Sequence, residues 1–185
     1  MDRLADYLFG GDDSQCALEV LEKLFAQRSN RFSHEFSDVS EVNHEVVGLA
    51  ISYPSEILKG LAVPMGNQLR EITGVNGMFR VLKRSIPLMR AKETDPDEYY
   101  VCTLAVRTNF QSHGLGARLL AHAESKATMA GLRKCSLQVT LNNERARQFY
   151  ERHGYRVVDT IPIPKLERAI GYPGYWRMVK CLSCG

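Results

Sequence analysis

The sequence predicts an α/β fold on a mixed sheet, and three observations carry that reading. From residue 99 onward, strand-like runs alternate with helix-patterned segments: YYVCTLAV, GARLLAHAESKATMAG, CSLQVT, ERARQFYERHG and YRVVDTIPI. Before them, FSHEFSDVSEV and HEVVGLAISY flank a turn at Asn43, the pattern of an antiparallel hairpin over residues 36–53. Near its start the chain reads CALEVLEKLFAQR, where Ala17, Val20, Leu21, Leu24 and Phe25 recur at three- and four-residue spacing.

Taken in order, each element has a local cause. Asp12, Asp13 and Ser14 are available to cap the first helix. Pro54 ends the second hairpin strand. Residues 55–98 hold EILKGLA, NQLREITG and GMFRVLKRSIPLMRA, helical in spacing but interrupted by Pro64, Gly74, Gly77 and Pro87. They predict two or three short helices, an insertion that either walls a site or thickens the core. The stretch ETDPDE after them reads as a solvated acidic turn. A strand follows over residues 99–106, then a helix over 116–130 closed by Gly131. CSLQVT is the next strand, ERARQFYERHG a helix ending at Gly154, and YRVVDTIPI a strand. A loop over residues 162–175, including GYPGY, leads to a last strand in WRMVKCL.

Bulk composition bounds the function. The 185 residues suit a single domain, 1–185, with the helical insertion at about 55–98. Hydrophobic residues make up 44%, enough for a real core. The net charge of +3 is too small and too dispersed to argue for nucleic acid. No apolar run is long enough to span a bilayer, and the N-terminal MDRLADYLFGG has no signal-peptide core, so the expected compartment is the cytoplasm. The five cysteines form no secreted disulfide framework, and a single CxxC, Cys181 with Cys184, supplies two metal ligands where a structural zinc site takes four. No metal is expected.

The segment FQSHGLGARLL sits between a strand and a helix. Gly114 and Gly116 let the backbone turn tightly and approach a bulky anion, with the amides of the next helix pointing at the same space. A tight turn with no ligand is the plain alternative. The nucleotide-triphosphate loop is excluded, because Gly116 is followed by Ala117 and Arg118 rather than by Lys and Ser or Thr. The dinucleotide fingerprint is excluded by a missing third glycine and a missing acidic residue after the next strand.

Residues 99–155 resemble the core of the GCN5-related N-acetyltransferase (GNAT) superfamily. Its loop pattern Q/R-x-x-G-x-G/A is met by Gln111, Ser112, His113, Gly114, Leu115 and Gly116, after a strand ending LAV. One strand later, NNERARQFYERHGY meets the pattern N-x-x-A-x-x-F-Y-x-x-x-G-F/Y from Asn143 through Ala146, Phe149, Tyr150, Gly154 and Tyr155. The resemblance implies an acyl-CoA N-acyltransferase fold: a central mixed sheet with two splayed parallel strands, flanked by helices. It implies acetyl-CoA as co-substrate, its pyrophosphate on residues 112–117 and its pantetheine arm along Leu104, Ala105 and Val106. Asn143 then either caps its helix or meets the pantetheine. The family's usual first strand is not evident: residues 5–9, ADYLF, are too short, so either Met1 lies inside a longer protein or that strand is missing or truncated.

Acetyl transfer needs a neutral amine, a polarised carbonyl, a route for the amine proton and an acid for the departing thiolate. The resemblance places Tyr150 at the thioester sulfur as that acid; simple packing against CoA is the alternative. In the histone-modifying branch a glutamate occupies the place of Tyr100, and a tyrosine is a poor direct base near neutral pH. Tyr100 is the candidate for a water relay, with Tyr99 and Glu98 beside it. Acceptor choice is assigned to residues 53–98, the loop 162–175 and the hairpin, with Tyr172, Tyr175 and Trp176 either lining the acceptor pocket or packing a terminal strand. His34, His44, His122 and His153 have no ligand-like spacing and read as surface or locally bonded. The expected activity is acetyl transfer to a primary amine, foremost of a small molecule, by direct attack in a ternary complex. A non-catalytic acyl-CoA-binding module and a protein N-terminal or lysine acetyltransferase are the alternatives. No nucleic-acid or membrane partner is expected, and a homodimer is left open.

Overall fold

The computed structural model describes residues 3–10, 14–89 and 92–182. Asp12, Asp13, the Ser14 side chain and Cys184, and with them the capping candidates and the CxxC, lie outside the described residues.

A six-stranded sheet organises the chain. Its strands are β1 (Ser37–Val42), β2 (Glu45–Pro54), β3 (Tyr99–Val106), β4 (Lys134–Thr140), β5 (Arg156–Pro162) and β6 (Gly174–Cys181), in spatial order β1-β2-β3-β4-β6-β5. Every neighbouring pair is antiparallel except β3 with β4. Helix α4 (Leu115–Met129) and helix α5 (Glu144–Arg152) pack on one face. Leu120, Ala123 and Ala127 of α4 meet Tyr99, Val101, Cys135, Leu137 and Val139 there, with Phe149 and Tyr150 of α5 against the same cluster. The other face is covered by the N-terminal helical turns α1 (Arg3–Ala5, continuing as a wider turn over Asp6–Gly10), helix α2 (Ser14–Ala26) and helix α3 (Leu58–Met89). Among the described residues no strand precedes β1, and residues 5–9 are helical.

The local patterns explain these elements. Ala17, Val20 and Leu24 of α2 are buried at the expected helical spacing. The hairpin turns through Asn43 (φ 51°) and His44 (φ 64°), both left-handed, as a two-residue turn matched to strand twist requires. In α3 only Gly74 departs from helical geometry, with φ 72° and ψ 174°, so two helical stretches fill the insertion. Pro64, Gly77 and Pro87 do not end a helix as their residue types suggest. Pro164–Ile170, read from sequence as loop, forms a short helix α6 that begins on Pro164 and buries Leu166.

The acidic stretch at 93–98 is also not the solvated turn its composition suggests. Glu98 is 2% exposed and accepts hydrogen bonds from Arg177 (2.5 Å), from Thr94 Oγ1 (2.8 Å) and from the Asp95 amide (2.9 Å). Arg177 also pairs with Asp95 at 2.9 Å. Thr94 is further bonded to Ser55 (2.6 Å) and Ser136 (2.8 Å). This polar knot ties the chain ahead of β3 to β4 and β6, because a buried carboxylate is tolerated only when paired and fully hydrogen-bonded. Asp97 keeps the expected surface character, paired with Lys134. No helix among the described residues is long and apolar enough to cross a membrane.

Candidate active site

The parallel neighbours β3 and β4 pair only over Tyr99–Val101 with Cys135–Leu137. Beyond Val101 and Leu137 the strands separate, leaving the β4-facing backbone of Cys102 to Val106 without a strand partner. β3 stays paired to β2 throughout, with one irregularity. Ile51 faces Thr103 and Ser52 faces Val101, so Cys102 is an extra residue in β3, a bulge at the point of parting. The bulge shifts the alternation: Tyr99, Val101 and Leu104 join the α4 face, while Cys102 and Thr103 both turn toward the opposite face. Nothing in residue type announces this bulge.

The glycine loop lies at the end of the parted strand. Ser112 takes φ 66°, a strained conformation for a residue with a side chain, and Gly114 takes φ 76° as the residue before α4. Gln111 Nε2 donates to the Val106 carbonyl at 3.0 Å, and His113 Nδ1 lies 2.8 Å from the Gln111 carbonyl. No side chain caps the start of α4, so its first amides point into the loop unsatisfied by the helix. A Cβ built on Gly116 would lie 3.6 Å from Phe149 Cζ and 3.8 Å from Val106 Cγ2, which brings the two sequence motifs and the strand end together. Leu115 is buried beside this point, and Ala117 is half-buried in the first turn of α4.

Asn143 caps α5: its side chain accepts from the Ala146 amide at 3.1 Å. Tyr150 projects from α5, with ring contacts to Phe149 (5.1 Å between centroids) and Tyr155 (5.8 Å). Among the described residues its hydroxyl has no hydrogen-bond partner. Burial pushes its phenol up to about 12, so the group is protonated across the neutral range.

On the other face a cavity of about 670 Å³ reaches the same parting of the strands. Tyr100, Cys102 and Thr103 of β3 and Gln138 of β4 form part of its lining, with α1, α2 and α3 opposite. Tyr172 and Tyr175 line it as expected, but Trp176 does not. It belongs to the other face, where the Arg147 guanidinium stacks over its ring at 4.8 Å. Tyr100 is buried with Tyr53 and Ile51, and burial holds its phenol well above the ordinary value, which removes it as a direct base near neutral pH. Tyr99 donates to the Ser52 carbonyl from the α4 side, and Glu98 is held by Arg177, so neither faces the cavity as a base. The histidines are locally engaged: His34 with the Phe25 carbonyl, His44 with Glu41, His122 with Asp38 and His153 with the Phe149 carbonyl.

Polar lining residues also come from outside the sequence motifs. Arg31 and Glu93 form an ion pair at 2.9 Å across the cavity wall, and Gln138 faces it from β4. For Gln138 the signal in the sequence is its alternation with Ser136 inside an otherwise apolar strand. Arg31 and Glu93 carry no such signal, since they meet only through folding. Among the described residues no group of three or more His, Cys, Asp or Glu is placed to hold a metal ion.

Residues 12–155 match the model of the acetyltransferase (GNAT) family. GCN5-related N-acetyltransferase 4, chloroplastic, of Arabidopsis thaliana is 39% identical over 66 residues; the match covers 36% of this chain but 22% of that protein's own length. Two solved structures share the fold. One is an acetyltransferase (24% identity, 95% of this chain, 85% of that one, TM-score 0.68), the other an N-acetyltransferase from Staphylococcus aureus Mu50 (22% identity, 96% and 94%, TM-score 0.62). With the family's loop and helix motifs converging where β3 and β4 part, the chain belongs to the GNAT acetyltransferase family.

Proposed function

We propose that the protein transfers an acetyl group from acetyl-CoA to a primary amine by direct attack in a ternary complex. One observation carries this reading: the unpaired backbone of β3, the uncapped start of α4 and the opposite-face cavity all meet where β3 leaves β4. Acetyl-CoA enters from the α4 side. The amides of Ser112, His113, Gly114, Leu115, Gly116 and Ala117, with Gln111 bracing the loop against β3, cradle the pyrophosphate at the positive end of the helix. The pantetheine amides pair with the free edge of Leu104, Ala105 and Val106, and Asn143 borders the arm from the start of α5. The amine enters from the cavity.

Its lone pair attacks the thioester carbonyl carbon, the C–N bond forms and the C–S bond breaks. Tyr150 passes its proton to the departing thiolate and regains one from water, and the nitrogen releases one proton to water. Tyr100, held protonated by burial, can orient that water but cannot take the proton itself. The products are the N-acetyl amine and CoA. Incubation with acetyl-CoA and a pooled set of primary amines, read as free thiol and product mass, tests the proposal. Thiol release well above hydrolysis, with an acetylated amine, is expected. Tight CoA binding with no amine-dependent thiol release overturns it in favour of a binding module.

A further inference from the structure

The cavity on the acceptor side has a chemistry of its own. Most of its wall is apolar, with Leu8, Phe25, Phe32, Ile51 and Leu88 among the lining side chains. Among the described residues its charged lining consists of Arg31, Glu93 and Glu22. The first two neutralise each other at 2.9 Å, and Glu22 is exposed. Among the described lining residues a polycation would find one unpaired carboxylate, at the surface, and would bury its other charges against hydrocarbon.

Three lining residues also carry a buried polar atom with no hydrogen-bond partner: Arg31 Nε, Gln138 Nε2 and the Tyr175 hydroxyl. The first two can only donate. The Gln138 amide lies close enough to interact with the Tyr175 hydroxyl, yet neither atom makes a hydrogen bond of ordinary geometry. A native protein rarely leaves such groups unmatched, and a ligand that presents an oxygen acceptor would satisfy them. Gln138 is the residue next to Leu137, the last on β4 to pair with β3. Its donor therefore sits at the parting of the strands, where the nucleophile must arrive.

Resting on the acetyl-transfer reading above, we infer that the acceptor is an apolar α-amino amide. It is a primary monoamine whose amine and uncharged carbonyl are one carbon apart, with an aromatic or branched aliphatic side chain. The side chain fills the cavity beneath α2 and α3, the carbonyl oxygen takes the Gln138 and Tyr175 hydrogen bonds, and the amine reaches the thioester through the gap. The transfer step is unchanged: C–N forms, C–S breaks, and one proton leaves the nitrogen as one reaches the thiolate.

The test compares kcat/KM for phenylalaninamide, glycinamide, phenethylamine and spermidine with acetyl-CoA. Burying a benzyl group should favour phenylalaninamide over glycinamide by about 50-fold. The carbonyl should favour it over phenethylamine by about tenfold. Gln138→Leu should bring that second ratio toward about one. Tyr175→Phe should shrink it as well, and thermal melts establish that both variants fold. A tripeptide amide beginning with phenylalanine separates the two sources of this chemistry. Turnover equal to or above phenylalaninamide assigns a peptide N-terminus, and turnover well below it a free amino-acid amide; either supports the class. Spermidine matching phenylalaninamide overturns the inference while leaving acetyl transfer standing. So does a preference for octanoyl-CoA over acetyl-CoA that abolishes discrimination among the amines, since the cavity then holds the acyl chain. CoA binding with no amine acetylated fails the transfer reading itself, and the inference with it.

Discussion

Tyr150→Phe removes one oxygen and isolates the proposed acid step. The hydroxyl has no partner among the described residues, so its loss leaves no buried group unsatisfied. The ring contacts to Phe149 and Tyr155, with centroids 5.1 and 5.8 Å away, survive the substitution. Stability should therefore change by no more than about 0.5 kcal/mol, and KM for acetyl-CoA by no more than about threefold. Turnover is different. With its phenol pushed up to about 12, Tyr150 holds its proton through the working range and can donate to the thiolate as the C–S bond weakens. Loss of a donor aimed at developing charge costs about 10²- to 10³-fold in kcat, or about 3–4 kcal/mol of barrier at 1.36 kcal/mol per decade. Steady-state thiol release with saturating amine measures kcat, and a thermal melt of the same preparation measures folding. The wild-type profile should show no falling limb between about pH 8 and pH 10, because the acid stays protonated there. Unchanged kcat in the phenylalanine variant refutes the reasoning, as does a fall in kcat matched by loss of fold.

Two further outcomes follow from buried groups. Glu98→Gln leaves Arg177 facing an amide and mismatches one of the bonds from Thr94 or Asp95, so it should cost about 3 kcal/mol in urea unfolding. Combining it with Arg177→Met should cost less than the two single changes summed. The second outcome concerns alkali. Tyr53, Tyr100, Tyr150, Tyr155 and Tyr175 are all raised by burial, so above about pH 10 the unfolded chain loses phenolic protons that the folded chain keeps. Their stabilising contribution is full below about pH 10 and is lost as pH climbs through the folded values, of which that of Tyr150 is about 12. The melting temperature should hold between about pH 7 and pH 9 and fall steeply beyond about pH 10, together with the rise of tyrosinate absorbance. Titration of these tyrosines near pH 10 with no loss of fold would contradict it.

Local rules made much of this protein legible. The 3.6-residue spacing of Ala17, Val20 and Leu24, the hairpin turn at Asn43, and the glycines that close α4 and α5 each depend on neighbours within a few positions. The same holds for the loop from Gln111 to Gly116, because a left-handed Gly114 and uncapped amides are properties of a short stretch of chain. Three things were not local. The bulge at Cys102 exists only as a mismatch of register between β2 and β3. The burial of Glu98 requires Arg177 from a strand that closes the fold 79 residues later, so an acidic turn by composition becomes a core tie. The cavity is a space between segments far apart in sequence, walled by α1, α2, α3 and both sides of the strand gap. The sequence by itself determined most of the elements and the form of the glycine loop before α4, since each is built from short-range geometry. Tertiary structure alone decided which carboxylate is buried, which aromatic faces the cavity and which polar atoms are left without a partner among the described residues, because burial and pairing depend on what long-range packing brings alongside.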